Sequence, residues 1–550
     1  MHRSLHIEEV VRLIASFCNG KTHQAQLNMA LTCRSFYEPA MDALWRDLEQ
    51  DIEPLLLLLP AYTLQRDEVM GWMIIKAPRP DEWHRFRHHA RRVRSLSIYD
   101  DEPFRVNCAA LDKLCRLYSE PFPLPNLRRF SCDDGAYFYD SWESFLPPTL
   151  EEASMIQFDE YNAAAFSDAL GRCPNLKRVY FEPAKNPWNI DQKFVQSFMN
   201  SALRSLRSLT VVRVGTLLPA TIRHLASLPA LKDIELAFDT SNDYEDLLGG
   251  FPGDLPPFLS LQTLHITAPA TSIKSLLHLL NTTRPVQLKT CRIFFGCKDE
   301  PSSKPLASAL EAAQDRYINK VAGALSRLPS LECLRLSVDG DHCRSSELVF
   351  GADTLGQLLR LPGVRTLDLG RHPVALQTDD VKRILEAWPG IERLELGQCC
   401  DASFSSMPVE DLRIFAACPQ LQRLGVMLCG DIDMRALAKR PRPKQSSSRL
   451  QILFIGDSVV RNPAHLAAFV SGVFPQANVQ ASDVKYGIKT EKPLPEVNKL
   501  LLLFAKAERM ERSRAFGSLR PHYGKETRCP YSAWSVRDLI KGGMAVEEED

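Results

Sequence analysis

Between residues 93 and 455 the chain returns repeatedly to one pattern of apolar and polar positions. An apolar residue is followed by two variable residues, a second apolar residue, one variable residue and a third apolar residue. Leu331-Glu-Cys-Leu334-Arg-Leu336, Val364-Arg-Thr-Leu367-Asp-Leu369, Ile391-Glu-Arg-Leu394-Glu-Leu396 and Leu421-Gln-Arg-Leu424-Gly-Val426 show it most clearly. A proline stands two residues before each (Pro329, Pro362, Pro389, Pro419). The first apolar position recurs at Val93, Leu127, Leu150, Leu176, Leu206, Leu231, Leu261, Leu288, Leu331, Val364, Ile391, Leu421 and Leu450, with a mean spacing of about 30 residues. The units at Leu150, Leu206 and Leu288 are degenerate. The long step from Leu288 to Leu331 carries the Pro/Ser/Lys-rich segment Lys298–Pro305. Between the phrases the spacing turns helical. Phe166, Ala169, Leu170 and Cys173 fall at i, i+3, i+4 and i+7, as do Val321, Ala324, Leu325, Leu328 and Val381, Ile384, Leu385, Trp388.

Each unit therefore reads as a short strand and a returning helix, the crossover that parallel strands need. The phrase and its period predict an α/β fold, a leucine-rich-repeat solenoid or horseshoe of parallel strands with helices on the convex side. The phrase leucines point inward and the variable positions face the concave side. Its third and fifth positions nominate a substrate face of Arg178, Tyr180, Glu235, His265, Arg335, Asp368, Arg393, Glu395 and Arg423, equally readable as a solvated sheet surface. Strands about 4.8 Å apart would let Arg335 and Asp368 pair across units. Cys399 and Cys429 occupy the ninth position, where the repeat takes Asn or Cys, and Asp239, Asp339 and Ser458 stand there in other units to bond turn backbone.

Residues 1–50 do not follow the repeat. Ile7, Val10, Val11 and Ile14 form a helical stripe ending at Phe17. After the polar loop Asn19–Gln26 come Leu27, Ala30 and Leu31, then Thr32-Cys-Arg-Ser-Phe36-Tyr37 and Leu44-Trp-Arg-Asp-Leu48. So small a helical unit has more apolar residues than it can bury alone. The stretch resembles an F-box in Leu5, Glu8, Val10, Ile14, Leu31, Cys33, Arg34, Phe36, Leu44 and Trp45, although the family's Leu-Pro opening is Leu5-His6 here. Arg79-Pro80, Trp83, Arg85-Phe86 and Ala90-Arg-Arg-Val-Arg94 are similar to the junction of fungal F-box proteins with degenerate leucine-rich repeats. The resemblance implies a non-catalytic substrate receptor of a Skp–cullin–F-box ubiquitin ligase. Leu5, Ile7, Val10, Ile14, Leu31, Cys33, Arg34, Phe36, Leu44 and Trp45 would then bind the Skp adaptor, and through it a cullin scaffold, with Trp45 and Phe36 as anchors. The alternative is a repeat scaffold with no ubiquitin role, its F-box-like start serving as an N-terminal cap. The expected organisation is an F-box-like domain at 1–50, a helical junction at 51–92, the solenoid at 93–485, and a capping helix (Pro493–Ser513) with an acidic tail (Glu547–Asp550) in 486–550.

The chain has 550 residues, which suits a solenoid that grows by addition. Its 67 basic and 67 acidic residues cancel, which disfavours nucleic acid as a partner. Fifteen cysteines without framework spacing read as buried thiols in a reducing compartment, the cytoplasm or nucleus. No apolar run approaches the roughly 20 residues of a membrane span. The run Lys439–Lys444 reads as a solvated insertion or an import signal. No phosphate loop, zincin or nucleophile-elbow motif occurs, and no cofactor is expected. His84 and His88 lie four apart beside His89 without a third ligand, so no metal is expected. Arg85, Arg87, Arg91 and Arg92 around them form a charged face at the junction or a surface for an acidic partner.

Overall fold

A computed structural model of the chain describes residues 7–18, 23–48, 52–67, 71–98, 108–118, 120–132, 142–158, 160–183, 192–238, 257–269, 277, 279–281, 287–296, 319–339, 350, 352–369, 378–396, 407–429, 449–456, 458, 463–485, 488–493 and 497–503. The chain divides into two compact units, Met1–Lys289 and Thr290–Asp550.

The first unit opens with three helices, α1 (Glu8–Phe17), α2 (Gln24–Thr32) and α3 (Arg34–Arg46). Without a break α3 runs into β1 (Asp47–Leu48). A short helix, α4 (Glu53–Leu56), a hairpin of β2 (Leu64–Asp67) and β3 (Gly71–Ile74), and α5 (His84–Ala90) follow. The ladder continues through β4 (Ser95–Ile98), β5 (Arg129–Cys132), β6 (Glu152–Phe158), β7 (Arg178–Pro183), β8 (Val211–Thr216), β9 (Asp233–Ala237) and β10 (Thr263–Pro269). All of these pair in parallel and in chain order, starting from β1 against β4. The second unit repeats the plan with β11 (Thr290–Gly296), β12 (Cys333–Asp339), β13 (Thr366–Asp368), β14 (Arg393–Leu396), β15 (Met407–Pro408), β16 (Arg423–Val426), β17 (Leu428–Cys429), β18 (Ile452–Phe454) and β19 (Asn478–Lys485), and β20 (Ile488–Pro493) closes the ladder antiparallel to β19. There β11, β12, β13, β14, β16, β18 and β19 form the parallel ladder, while β15 and β17 pair separately. Both units are thus leucine-rich-repeat solenoid, strand and helix alternating.

One backbone contact recurs from repeat to repeat. The N–H groups of the second and third phrase positions both donate to the carbonyl of the second position in the preceding strand. Arg128 and Arg129 meet Arg94 O at 2.8 and 2.9 Å, and Arg365 and Thr366 meet Glu332 O at 2.8 and 3.0 Å. The three apolar positions lie beneath, for example Leu331, Leu334 and Leu336 or Ile391, Leu394 and Leu396, all buried. The returning helices cover them with the stripes read from the sequence, Phe166, Ala169, Leu170 and Cys173 among them. Trp388 adds a direct link, its indole Nε1–H donating to Leu361 O of the preceding repeat at 2.6 Å. Where the phrases of the first unit weaken, aromatic rings fill the interior. Phe130, Trp142, Phe145, Phe166 and Phe181 meet edge to face with centroids 4.8 to 5.8 Å apart.

Four boundaries differ from the sequence reading. The ladder starts at β1, inside the F-box-like segment, because Arg94 N–H bonds Arg46 O as it would in any repeat. Trp45 therefore stands at a first phrase position. The junction 51–92 is not wholly helical, since β2 and β3 form a hairpin there. The unit assigned to Leu206 begins at Leu209, for Val211 aligns with Arg178 and Thr210 N–H meets Lys177 O. At the far end, β20 occupies residues placed in the terminal segment, and of the expected helix 497–503 is described. Asn498 in that helix brackets Val479, accepting from its N–H and donating to its carbonyl at 2.9 Å each, so a side-chain amide finishes the edge that β20 leaves uncovered. Leu5, Cys399, Asp239, the 298–305 and 439–444 segments and the acidic tail lie outside the described residues.

The alternation of inward and outward positions has a direct consequence. Leu394→Ala should destabilise the protein by about 2–5 kcal/mol, whereas exposed Arg365→Ala should stay within about 0.5 kcal/mol, both read by denaturant titration.

Candidate functional site

The three-helix unit is built on small residues. Glu8 and Glu9 sit in the first turn of α1, where acidic side chains favour the positive end of the helix, and Arg12 bonds Glu8 at 2.7 Å. Cys33, in extended conformation, ends α2 and starts α3. Val11 and Ala15 of α1, Ala30 of α2 and Ala40 of α3 are buried. Yet the apolar arc of α1 covers roughly half the helix circumference at 3.6 residues per turn, and only its Val11/Ala15 edge is covered. Ile7, Leu13, Ile14 and Phe17 are exposed, as are Leu27 and Leu31 one turn apart on α2. Phe17 is 81% and Leu31 75% accessible. Soluble surfaces seldom carry so many large apolar side chains on so few residues unless something binds them.

The expected adaptor-binding residues divide accordingly. Ile7, Ile14, Leu31 and Arg34 are exposed, and Val10, Cys33, Phe36, Leu44 and Trp45 are half-buried. The anchor role expected of Trp45 changes most. As a first phrase position it turns toward α5 and stacks on His89 with centroids 4.6 Å apart. Its indole Nε1–H is buried without a hydrogen-bond partner. Phe17 and Leu13, which the residue-by-residue match to the family left aside, are more accessible than Trp45.

Behind this unit, α5 ties the helices to the ladder. Arg92 is nearly buried and bridges Glu38, at 2.5 Å, and Asp42, both on α3. His88 accepts from Arg92 at 2.9 Å. The Arg92 guanidinium holds the Glu38 carboxyl below the usual carboxylate range. His89 is driven the other way for a cation. Burial, then the charges of His88, Arg92 and Arg85, lower its pKa to about 4. The histidine cluster thus packs the junction, and among the described residues no group of three His, Cys, Asp or Glu side chains is arranged for a metal ion. Burial also pushes the thiols of Cys173 and Cys291 up to about 12, so both are protonated packing residues.

The outward face of the ladder carries the other expected site. In the first unit Tyr180, Arg213, Glu235 and His265 align across β7 to β10. Arg213, hidden from the sequence reading by the misplaced start of its repeat, lies over the Tyr180 ring at 5.5 Å and bonds Asp233 at 2.8 Å. Arg178 pairs with Glu152 at 2.6 Å. In the second unit Arg292, Arg335, Asp368 and Glu395 align, and Arg335 pairs with Asp368 at 3.0 Å as the register requires. Here a correction is needed. Asp368 and Glu395 are 3% and 4% accessible and cannot present their carboxylates to a ligand. Arginines fold over them, Arg393 of the same strand and Arg423 of the next reaching Glu395 at 2.5 and 2.7 Å. What remains accessible is cationic, Arg335 and Arg393. At the ninth position Ser458 bonds turn backbone as expected, its Oγ accepting from Leu428 N–H of the preceding repeat at 2.8 Å.

No protein-family model matches the chain, and no curated protein is significantly similar to it. Among solved structures it is similar to a leucine-rich-repeat protein of Leptospira interrogans, at 12% identity over 65% of this chain and 90% of that one, with a TM-score of 0.28. The repeat assignment rests on the strand register itself. Among the described residues no helix is long and apolar enough to cross a membrane.

Two outcomes follow from these contacts. Folded His89 takes its proton near pH 4 and the unfolded residue near 6.5, so between those values the unfolded chain holds more protons and stability falls as pH drops. His89→Gln should flatten that slope in a melting series from pH 7 to 5, and an unchanged slope would mean that His89 titrates normally. Glu395→Ala removes the buried carboxylate that Arg393 and Arg423 share and should cost about 3 kcal/mol in denaturant titration.

Proposed function

We propose that this chain is the substrate receptor of a Skp–cullin–F-box ubiquitin ligase. The observation that carries the reading is the pair of apolar stripes, Ile7, Leu13, Ile14 and Phe17 on α1 and Leu27 and Leu31 on α2, left accessible on a three-helix unit whose own core is mostly alanine. They fall in the segment that resembles an F-box, and they are the side chains a Skp adaptor would cover. The repeats then hold a protein target on their outward face. The receptor contributes proximity alone: it raises the local concentration of one target beside transfer machinery carried by partner subunits.

The reading as a plain repeat scaffold keeps one argument, since β1 continues the ladder and α3 with it closes the ladder's first edge. The two roles use different faces. Capping engages Trp45, Glu38 and Asp42, whereas docking engages α1 and α2.

The test is a binding titration of the purified chain against the Skp adaptor, beside Phe17→Ala/Leu31→Ala. Both positions are exposed, so the variant should melt like the parent and lose affinity on the order of a hundredfold. Equal affinity in the two proteins, or no binding by the parent, would leave the scaffold reading in place.

A further inference from the structure

Behind the helices, α1, α3, α5 and the first strands of the ladder enclose a groove of about 970 Å³. Its walls carry eight arginines against four carboxylates. Five of these arginines are answered within the protein. Arg12 reaches Glu8 and Asp42, Arg92 reaches Glu38 and Asp42, Arg128 reaches Glu151, Arg129 reaches Asp47 and Arg178 reaches Glu152. Among the described residues Arg46, Arg91 and Arg94 have no carboxylate partner. Among the described residues the Arg94 side chain donates to the carbonyls of Arg91 and Asn126. Its charged form is disfavoured by burial and by the neighbouring cations Arg128 and Arg46.

The repeat explains the crowding. Arg46, Arg94 and Arg128 hold the second phrase position of β1, β4 and β5, so three like charges stand on successive strands, about 4.8 Å apart per step. The next two strands carry opposite charges there instead, Glu151 pairing with Lys177 at 3.1 Å. A ladder left to its own stability has no reason to place three cations side by side, since like neighbours repel. A bound anion reverses that cost.

We propose that this groove binds a multiply charged phosphate-bearing anion, either a free polyphosphate compound or the phosphorylated side chains of a protein segment. Three unanswered guanidinium groups call for more charge than one carboxylate brings, and a phosphomonoester carries about −1.5 to −2 at neutral pH. The planar guanidinium also matches phosphate oxygens in two-pronged hydrogen bonds. This assignment does not depend on adaptor docking.

The test uses the full chain and calorimetric titration with two probes, tripolyphosphate and a peptide carrying two phosphoserines, the unphosphorylated peptide serving as control. The comparison protein is Arg46→Gln/Arg91→Gln, two exposed positions that make no ion pair among the described residues. Saturable binding of tripolyphosphate that weakens on the order of tenfold or more in the variant and with added salt supports a free polyphosphate ligand. Binding of the phosphopeptide alone, weakened in the same way, supports the phosphoprotein source. The unliganded variant should melt no lower than the parent, because it loses repulsion. Absence of saturable binding by both probes, equal affinity in the two proteins, or equal binding of the unphosphorylated peptide would overturn the proposal.

Discussion

The structure depends on a constraint that no single repeat can meet. Three inward apolar side chains on a strand of three to eight residues have nothing to pack against until a neighbouring strand and helix arrive. The shared acceptor, one carbonyl taking two N–H groups from the next strand, fixes each new strand at the same height. Within each unit the apolar positions of successive repeats therefore fall into buried rows. Every outward side chain is aligned by the same register, which is why charged residues distant in sequence meet in pairs, Arg335 with Asp368 and Arg423 with Glu395.

The first unit begins and the second unit finishes on an edge strand, and each of these edges is closed by a different device. At the C-terminal end an antiparallel strand turns back and the Asn498 amide imitates one more peptide group. At the N-terminal end the last residues of α3 pass directly into β1, so the three-helix unit is locked to the sheet by backbone bonds and by Arg92. That attachment uses α3 and leaves α1 and α2 with apolar surface the ladder cannot reach. The cap and the accessible stripes are two faces of one small unit.

The repeat was legible because its signal is redundant: phrase, period and helical stripe point to the same alternation, and the strand starts agree across most units. Errors arose where that redundancy fails. Leu206 and Leu209 both offer an apolar first position, and only the backbone bond from Thr210 to Lys177 chooses between them. Choosing wrongly hid Arg213 from the outward row. Trp45 was legible as an F-box residue but not as a phrase residue, because its repeat is cut short after Leu48 and is far from the next. The burial of Asp368 and Glu395 was illegible for another reason. Alternation says which side of a sheet a residue leaves from, while long arginine side chains on the neighbouring strands decide whether water still reaches it.

The same reasoning limits what a neutral composition can exclude. Equal totals of acidic and basic residues describe a chain averaged over its length, whereas an ion or ligand responds to charges within about a Debye length, roughly 8 Å at physiological salt. In a globular core the sequence gives little indication of which charges become neighbours. In a ladder it does, since second positions stack on second positions. Arg46, Arg94 and Arg128 are 48 and 34 residues apart in the chain and adjacent in space. Neutrality therefore says nothing against a compact anion held where Arg46, Arg94 and Arg128 stand on successive strands.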